Sequence, residues 1–357
     1  MESKRRVKLA LNHTKPDRIP KDYWGVPEVD EELISYFKVK NKDEMLEKLG
    51  VDLRYVKPSY TGDEFFEYKD GSLQKKLPDG NYVDIWGVVR KRVEWGRGSY
   101  LEVVSSPLSK ADSVKDIENY KLPDVKKFDY KGVMEKCERY PDKAIIFTGD
   151  RLTTRCSFFK LSMYLRGFSE FMMDLILNEK MVFFLIEKVE EFHFYYTEQT
   201  LKYGRNIDIF MMGDDFGAEN GLLISPEIFR KYFKKPLKKM AELAHRYGVK
   251  VMLHSCGSVR ELIPDFIEIG IDILNPIQTT AKGMVPHELK REFGKYICFH
   301  GGVDVKNLLP NSSPQFIKKE IEKLVNILGE GGGYILAPSH NLQMDIPLEN
   351  ILAIYET

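Results

Sequence analysis

Short apolar, β-branched runs alternate with longer amphipathic stretches through most of this chain. Runs at 144–149, 207–213, 249–253, 271–276, 296–301 and 334–338 have the pattern of strands buried on both faces of a parallel sheet. Between them apolar positions recur at helical spacing, and Ser225-Pro226 and Ser313-Pro314 carry helix-start chemistry, serine as cap and proline in the first turn. Two candidate strands precede these six, at 18–24 and, after a helix at 42–49, at 52–57. Eight strands each followed by a helix predict an α/β fold of the (β/α)8 TIM-barrel type. A doubly wound open sheet is the alternative, because pattern alone does not show closure. The stretch 59–122 breaks the rhythm: its turn signals Asp70-Gly71, Asp79-Gly80 and Gly96-Arg97-Gly98 predict antiparallel hairpins over 65–104. They make an insertion of about residues 59–110 after the second strand, within a single domain of 1–357. The aromatic stretch 181–196 has the spacing of a helix packed outside the barrel, and Gly331-Gly332-Gly333 precedes a strand, so it reads as a turn and not a phosphate loop.

Composition narrows the functional classes. Among 357 residues, 54 Lys and Arg balance 54 Asp and Glu, so no sequence-wide positive field exists to attract nucleic acid. The longest apolar run, 181–186, is far short of the ~20 residues of a membrane span. Lys4-Arg5-Arg6 leads into a stretch broken by Lys8 and Asn12, which is no signal-peptide core, and a cytoplasmic protein is expected. Cys137, Cys156, Cys256 and Cys298 are scattered and read as reduced thiols. A homodimer is compatible with all of this.

In a barrel, the loops after the C-terminal strand ends build the site. Those positions hold Tyr23, Trp24, Lys57, Asp150, Asp214, Asp215, His254, Cys256, Asn275, Gln278, His300, Asp304, His340 and Asn341. His254 and Cys256 are two apart at a strand end and point to the same side, where imidazole and thiolate suit Zn²⁺. His340, after the last strand, is the natural third ligand; the competing reading is a buried cysteine beside a hydrogen-bonded histidine. Asp214 and Asp215 lie in a Gly-flanked turn, as acid, base or substrate anchor, or else as helix caps. His300, before Gly301-Gly302-Val303-Asp304, has the same two readings, ligand contact or structure.

These motifs resemble the uroporphyrinogen decarboxylase superfamily of (β/α) barrels. The resemblance rests on Lys15-Pro16-Asp17-Arg18-Ile19-Pro20, on Asp214-Asp215 followed by Ser225-Pro226, on the His300–Asp304 loop, and on Ala337-Pro338-Ser339-His340 with Pro347-Leu348-Glu349-Asn350. The decarboxylases' R-Q-A-G-R-Y-L-P-E-Y-R and F-S-D-I-L stretches are missing; Lys21-Asp22-Tyr23-Trp24-Gly25-Val26-Pro27-Glu28 and Asp52-Leu53-Arg54-Tyr55-Val56-Lys57-Pro58 stand there instead. An acidic, aromatic segment suits a polycarboxylate poorly. The resemblance is nearer to the corrinoid-linked branch, typified by methylcobalamin:coenzyme M methyltransferases, whose zinc site uses an H-x-C pair and a later cysteine. His254 and Cys256 match the pair, and His340 stands at the later cysteine's position.

The resemblance implies a zinc-dependent methyltransferase moving a methyl group between a small methylated substrate or thiol and a corrinoid carried by a partner protein. In that reading His254, Cys256 and His340 hold zinc, Asp214, Asp215 and His300 are catalytic, and Tyr23, Trp24, Asn275 and Gln278 bind the cofactor. The alternatives are a uroporphyrinogen decarboxylase-like carboxy-lyase and a non-catalytic barrel.

Overall fold

The computed structural model describes residues 1–95 and 98–356. Its centre is a curled parallel sheet of seven strands: β1 (Leu53–Val56), β2 (Ala144–Phe147), β3 (Ile209–Gly213), β4 (Lys250–His254), β5 (Ile273–Ile277), β6 (Cys298–Val303) and β7 (Tyr334–Pro338). They pair in chain order, each parallel to the next. Near-continuous apolar sequence produces this arrangement because both faces are buried. Alternate residues Leu53, Ile146, Met211, Met252, Ile273 and Ile335 form one core cluster, which the N-terminal helix Ser3–Leu11 joins through Val7 and Leu11. Their neighbours Ile145, Phe210, Leu253, Leu274 and Phe299 belong to the larger core shared with the surrounding helices.

The expected strand at 18–24 is the main departure. It forms only isolated parallel bridges, Lys21 to Leu336 and Gly25 to Leu342, and the regular ladder is open between β1 and β7. Pro20 has no N–H to donate, which interrupts a ladder. The segment still spans the gap: Asp22 N–H donates to Leu336 O at 2.8 Å, and Asp52 N–H donates to Lys21 O at 2.9 Å. Its side chains clamp it as well. Asp52, fully buried, accepts from Arg6 and Arg18 guanidinium groups at 2.7 Å and from Lys21 N–H at 2.9 Å. The Asp17-Arg18 pair of the N-terminal motif is therefore a fastener, with Asp17 taking the other face of Arg6 at 2.7 Å.

The insertion follows β1, the first regular strand, and is antiparallel as expected. Its five strands, Phe66–Glu67, Leu73–Lys76, Tyr82–Asp84, Val89–Trp95 and Gly98–Ser105, pair in sequence. The expected turn at Gly96-Arg97-Gly98 falls largely on residues outside those described. Trp86 pins the insertion to the loop after β2 by donating to Thr153 O at 2.6 Å. The 181–196 stretch lies in the helix Glu179–Tyr203 and buries Val182, Leu185, Ile186, Val189 and Phe192, as expected. Ser225 and Ser313 cap their helices by accepting from Ile228 and Phe316 N–H. Among the described residues, no helix is long and apolar enough to cross a membrane.

Candidate metal centre and cleft

Strand register assembles the site. Gly213 at the end of β3 is paired with His254 at the end of β4, so the residues two beyond each, Asp215 and Cys256, emerge side by side. One ligand atom from each of Asp215, His254 and Cys256 lies within 4.8 Å of the other two. His254 Nε2 is 3.5 Å from Cys256 Sγ and 3.5 Å from Asp215 Oδ1. Cys256 N–H donates to Asp215 Oδ1 at 3.2 Å, and Lys160 Nζ stands 3.4 Å from Asp215 Oδ2. Gly257 turns the chain away at φ +83°, and a Cβ there would sit 2.6 Å from Gly217 backbone carbon, so only glycine fits.

The next strand fixes the imidazole. Asn275 on β5 pairs with His254 and its Oδ1 accepts from His254 Nδ1 at 2.6 Å. Its Nδ2 donates to His300 Nδ1 on β6 at 2.5 Å, and His300 Nε2 donates to Asp22 Oδ2 at 2.9 Å. Asp22 also accepts a short hydrogen bond from the Tyr55 hydroxyl, which in turn accepts from Trp24 Nε1 at 2.6 Å. With its Nδ1 hydrogen committed to Asn275, His254 presents a bare Nε2 lone pair to Cys256 and Asp215.

Burial dominates the electrostatics. It lowers the His254 pKa to about 3 and pushes the Cys256 thiol up to about 12. Burial also works to raise the Asp215 carboxyl, while Lys160 and the Cys256 N–H favour its charged form. A neutral imidazole, a carboxylate and a thiol converging on one point are a donor set that a borderline cation such as Zn²⁺ completes, releasing the thiol proton.

The other expected residues divide by where their side chains go. His340 lines the adjoining cleft, with burial lowering its pKa, but it is not among the three converging groups. It follows β7, three strands from β4 in the sheet order. Asp214 is fully buried and caps the helix Phe159–Arg166, accepting from Phe158 N–H at 2.6 Å and Lys160 N–H at 2.9 Å; burial raises its pKa to about 7. The helix it caps precedes it in the chain, not the segment that follows it. His300 is likewise fully buried, a link between Asn275 and Asp22. Gln278 braces the loop after β4, accepting from Gly257 N–H at 2.9 Å and donating to Glu219. Tyr23 and Trp24 line the cleft, with the Trp24 ring 5.5 Å from that of His254.

The cleft has a volume of about 1440 Å³, and His254 presents one edge to it. Its walls include Tyr55, Arg151 and Arg155, which the sequence reading passed over, and Tyr68 and Tyr100 from the insertion. Two arginines in the loop after a buried strand were the available signal for that wall.

Comparison with known proteins agrees with this architecture. The uroporphyrinogen decarboxylase family profile matches residues 98–357. Uroporphyrinogen decarboxylases of Coxiella burnetii strains are 22% identical over 175 residues, a match covering 48% of this chain and 45% of theirs, so the chain spans less than half the length of these curated relatives. A methyltransferase from Methanosarcina mazei superposes with a TM-score of 0.69 at 18% identity, covering 100% of this chain and 98% of that one, which is a likeness of fold. With more than half of its length matched by the profile, the chain belongs to the uroporphyrinogen decarboxylase family.

Proposed function

We propose that this chain is a zinc-dependent methyltransferase that moves a methyl group between a small methylated substrate or thiol and a corrinoid carried by a partner protein. The observation carrying this reading is the convergence of Asp215, His254 and Cys256 beside a deep cleft. Asp215 takes the ligand place that the sequence had offered to His340, which instead faces the cleft and is available to the substrate. The Pro20–Gly25 segment serves as the eighth stave of the barrel. Zinc held by this trio would supply a Lewis acid that favours a thiolate or polarises a methyl-bearing heteroatom.

The chain's own residues then divide the work. Asn275 holds His254 in the tautomer that leaves Nε2 free. Lys160 offsets the charge of Asp215, and Gly257 lets Cys256 approach. Trp24 and His340 line the space next to His254 in which the methylated group is positioned. The cleft is larger than the ~300–1,000 Å³ of an ordinary small-molecule pocket, as suits a site two reactants must enter.

The test is a metal analysis and two assays on one preparation. Protein grown in zinc-replete medium is expected to carry close to one zinc per chain, and Cys256→Ala to carry far less. Candidate methylated substrates are expected to change the visible spectrum of a reduced corrinoid, while uroporphyrinogen is left intact. Absence of zinc, or efficient release of carbon dioxide from uroporphyrinogen, overturns the reading.

A further inference from the structure

Arg155 is a cation without a counter-ion in the cleft wall. Its Nε is buried without a hydrogen-bond partner, and no carboxylate comes within ion-pair distance of it among the described residues. The neighbouring acids are occupied. Asp150, at the head of the same loop, spends both oxygens on that loop, accepting from Leu152 and Thr153 N–H and from the Thr153 and Thr154 hydroxyls at 2.6–3.0 Å. Asp215 is engaged by Lys160 and Cys256 N–H. Arg155 is instead placed over the Trp24 ring, 6.0 Å from its centroid, where the quadrupole helps a cation but does not neutralise it. Arg151, exposed on the same loop, lines the same cleft and adds to the positive potential.

The fold makes room for this cation at a cost. A Cβ on Gly213 would lie 2.5 Å from Arg155 Cδ, so the glycine ending β3 lets the stem cross the strand end. Asp150 O accepts Arg155 N–H at 2.9 Å and fixes where the side chain starts. A guanidinium half-withdrawn from water, its Nε buried and no carboxylate beside it, opposes folding, and such positions persist where a ligand supplies the missing charge. A planar fork of donors matches a carboxylate in two parallel hydrogen bonds.

We propose that Arg155, assisted by Arg151, is an anion subsite that takes the carboxylate of a small substrate whose reacting group lies at the His254 side of the cleft. This rests on the methyltransferase reading for what the other end of the substrate carries, but not for the binding of the anion. The substrate class is then a small methylated carboxylic acid, held at one end by Arg155 with an aromatic wall from Trp24 and Tyr55 beside it.

The subsite predicts an unusual stability pattern, readable by thermal unfolding and calorimetry with acetate, benzoate and succinate as probes and benzamide as the uncharged control. Wild-type protein is expected to bind at least one of the three carboxylates tenfold or more tighter than benzamide and to melt higher in its presence. Arg155→Met is expected to melt above the wild type without ligand and to lose the carboxylate response. Arg155→Lys is expected to retain part of it. An arginine with a purely structural role gives the opposite result, a lower melting temperature for Arg155→Met; that outcome overturns the proposal, as does the absence of any carboxylate preference in the wild type. Carboxylate binding that survives a failed methyl-transfer assay removes the functional reading and leaves the subsite, so the two failures are distinguishable.

Discussion

At the scale of single residues, the site depends on groups that never meet a substrate. Asn275 is buried between two imidazoles and sets the orientation of one of them. Asn275→Leu is therefore expected to weaken zinc binding by about 10–100-fold, measured by competition with a chromophoric chelator, since losing an outer-shell partner has that effect on a metal site. A third buried histidine gives a pH signature. Burial lowers the His193 pKa from 6.5 to about 3, so it stays neutral in the fold while the unfolded chain takes up a proton below pH 6.5. Its contribution is fully present above pH 6.5 and is lost as pH falls toward 3, at up to ~1.4 kcal/mol per pH unit. Urea unfolding between pH 6.5 and 4 is expected to show a pH slope smaller by about one proton in His193→Phe than in the wild type; equal slopes would contradict the assignment.

At the scale of elements, the loop after β4 is the part on which the candidate metal centre turns. Gly257→Ala forces a Cβ into the backbone of Gly217 and Ala218 at a left-handed φ, and is expected to cost ~1–3 kcal/mol of strain and displace Cys256. Circular dichroism melts and zinc stoichiometry should both fall, whereas a change confined to one of them would mean the loop adapts. The strands themselves were legible because burial on both faces leaves an apolar run that few other elements imitate. The H-x-C pair was legible because residues two apart at a strand end share a side. The placing of Asp215 beside that pair was not, since it requires knowing that β3, and not β7, neighbours β4, with Gly213 opposite His254. Arg155 was hidden for a related reason: only the structure shows that Asp150, five residues before it, is consumed by its own turn.

At the scale of the whole molecule, the N-terminal segment completes what the ladder leaves open. The reading of 18–24 as a regular strand failed because Pro20 interrupts pairing and because side chains on Asp52, far along the chain, do the fastening. Asp52→Ala removes one partner from Arg6, which keeps Asp17, and the carboxylate partner of the half-exposed Arg18, and is expected to cost ~1–3 kcal/mol in chemical denaturation. Hydrogen exchange should then quicken first at Asp22 and Leu336, whose amides hold the segment to β7. The same segment delivers Asp22 to His300, 278 positions away, at the far end of the hydrogen-bonded series reaching His254. That series resembles a proton wire, yet the carboxamide in its middle breaks the circuit. An amide oxygen accepts and an amide nitrogen donates, so a proton arriving at one end of Asn275 has no route out of the other. Asp22 can polarise His254 through this insulator but cannot trade charge with it, and the nitrogen facing Asp215 and Cys256 stays bare whatever protons come and go at the other end.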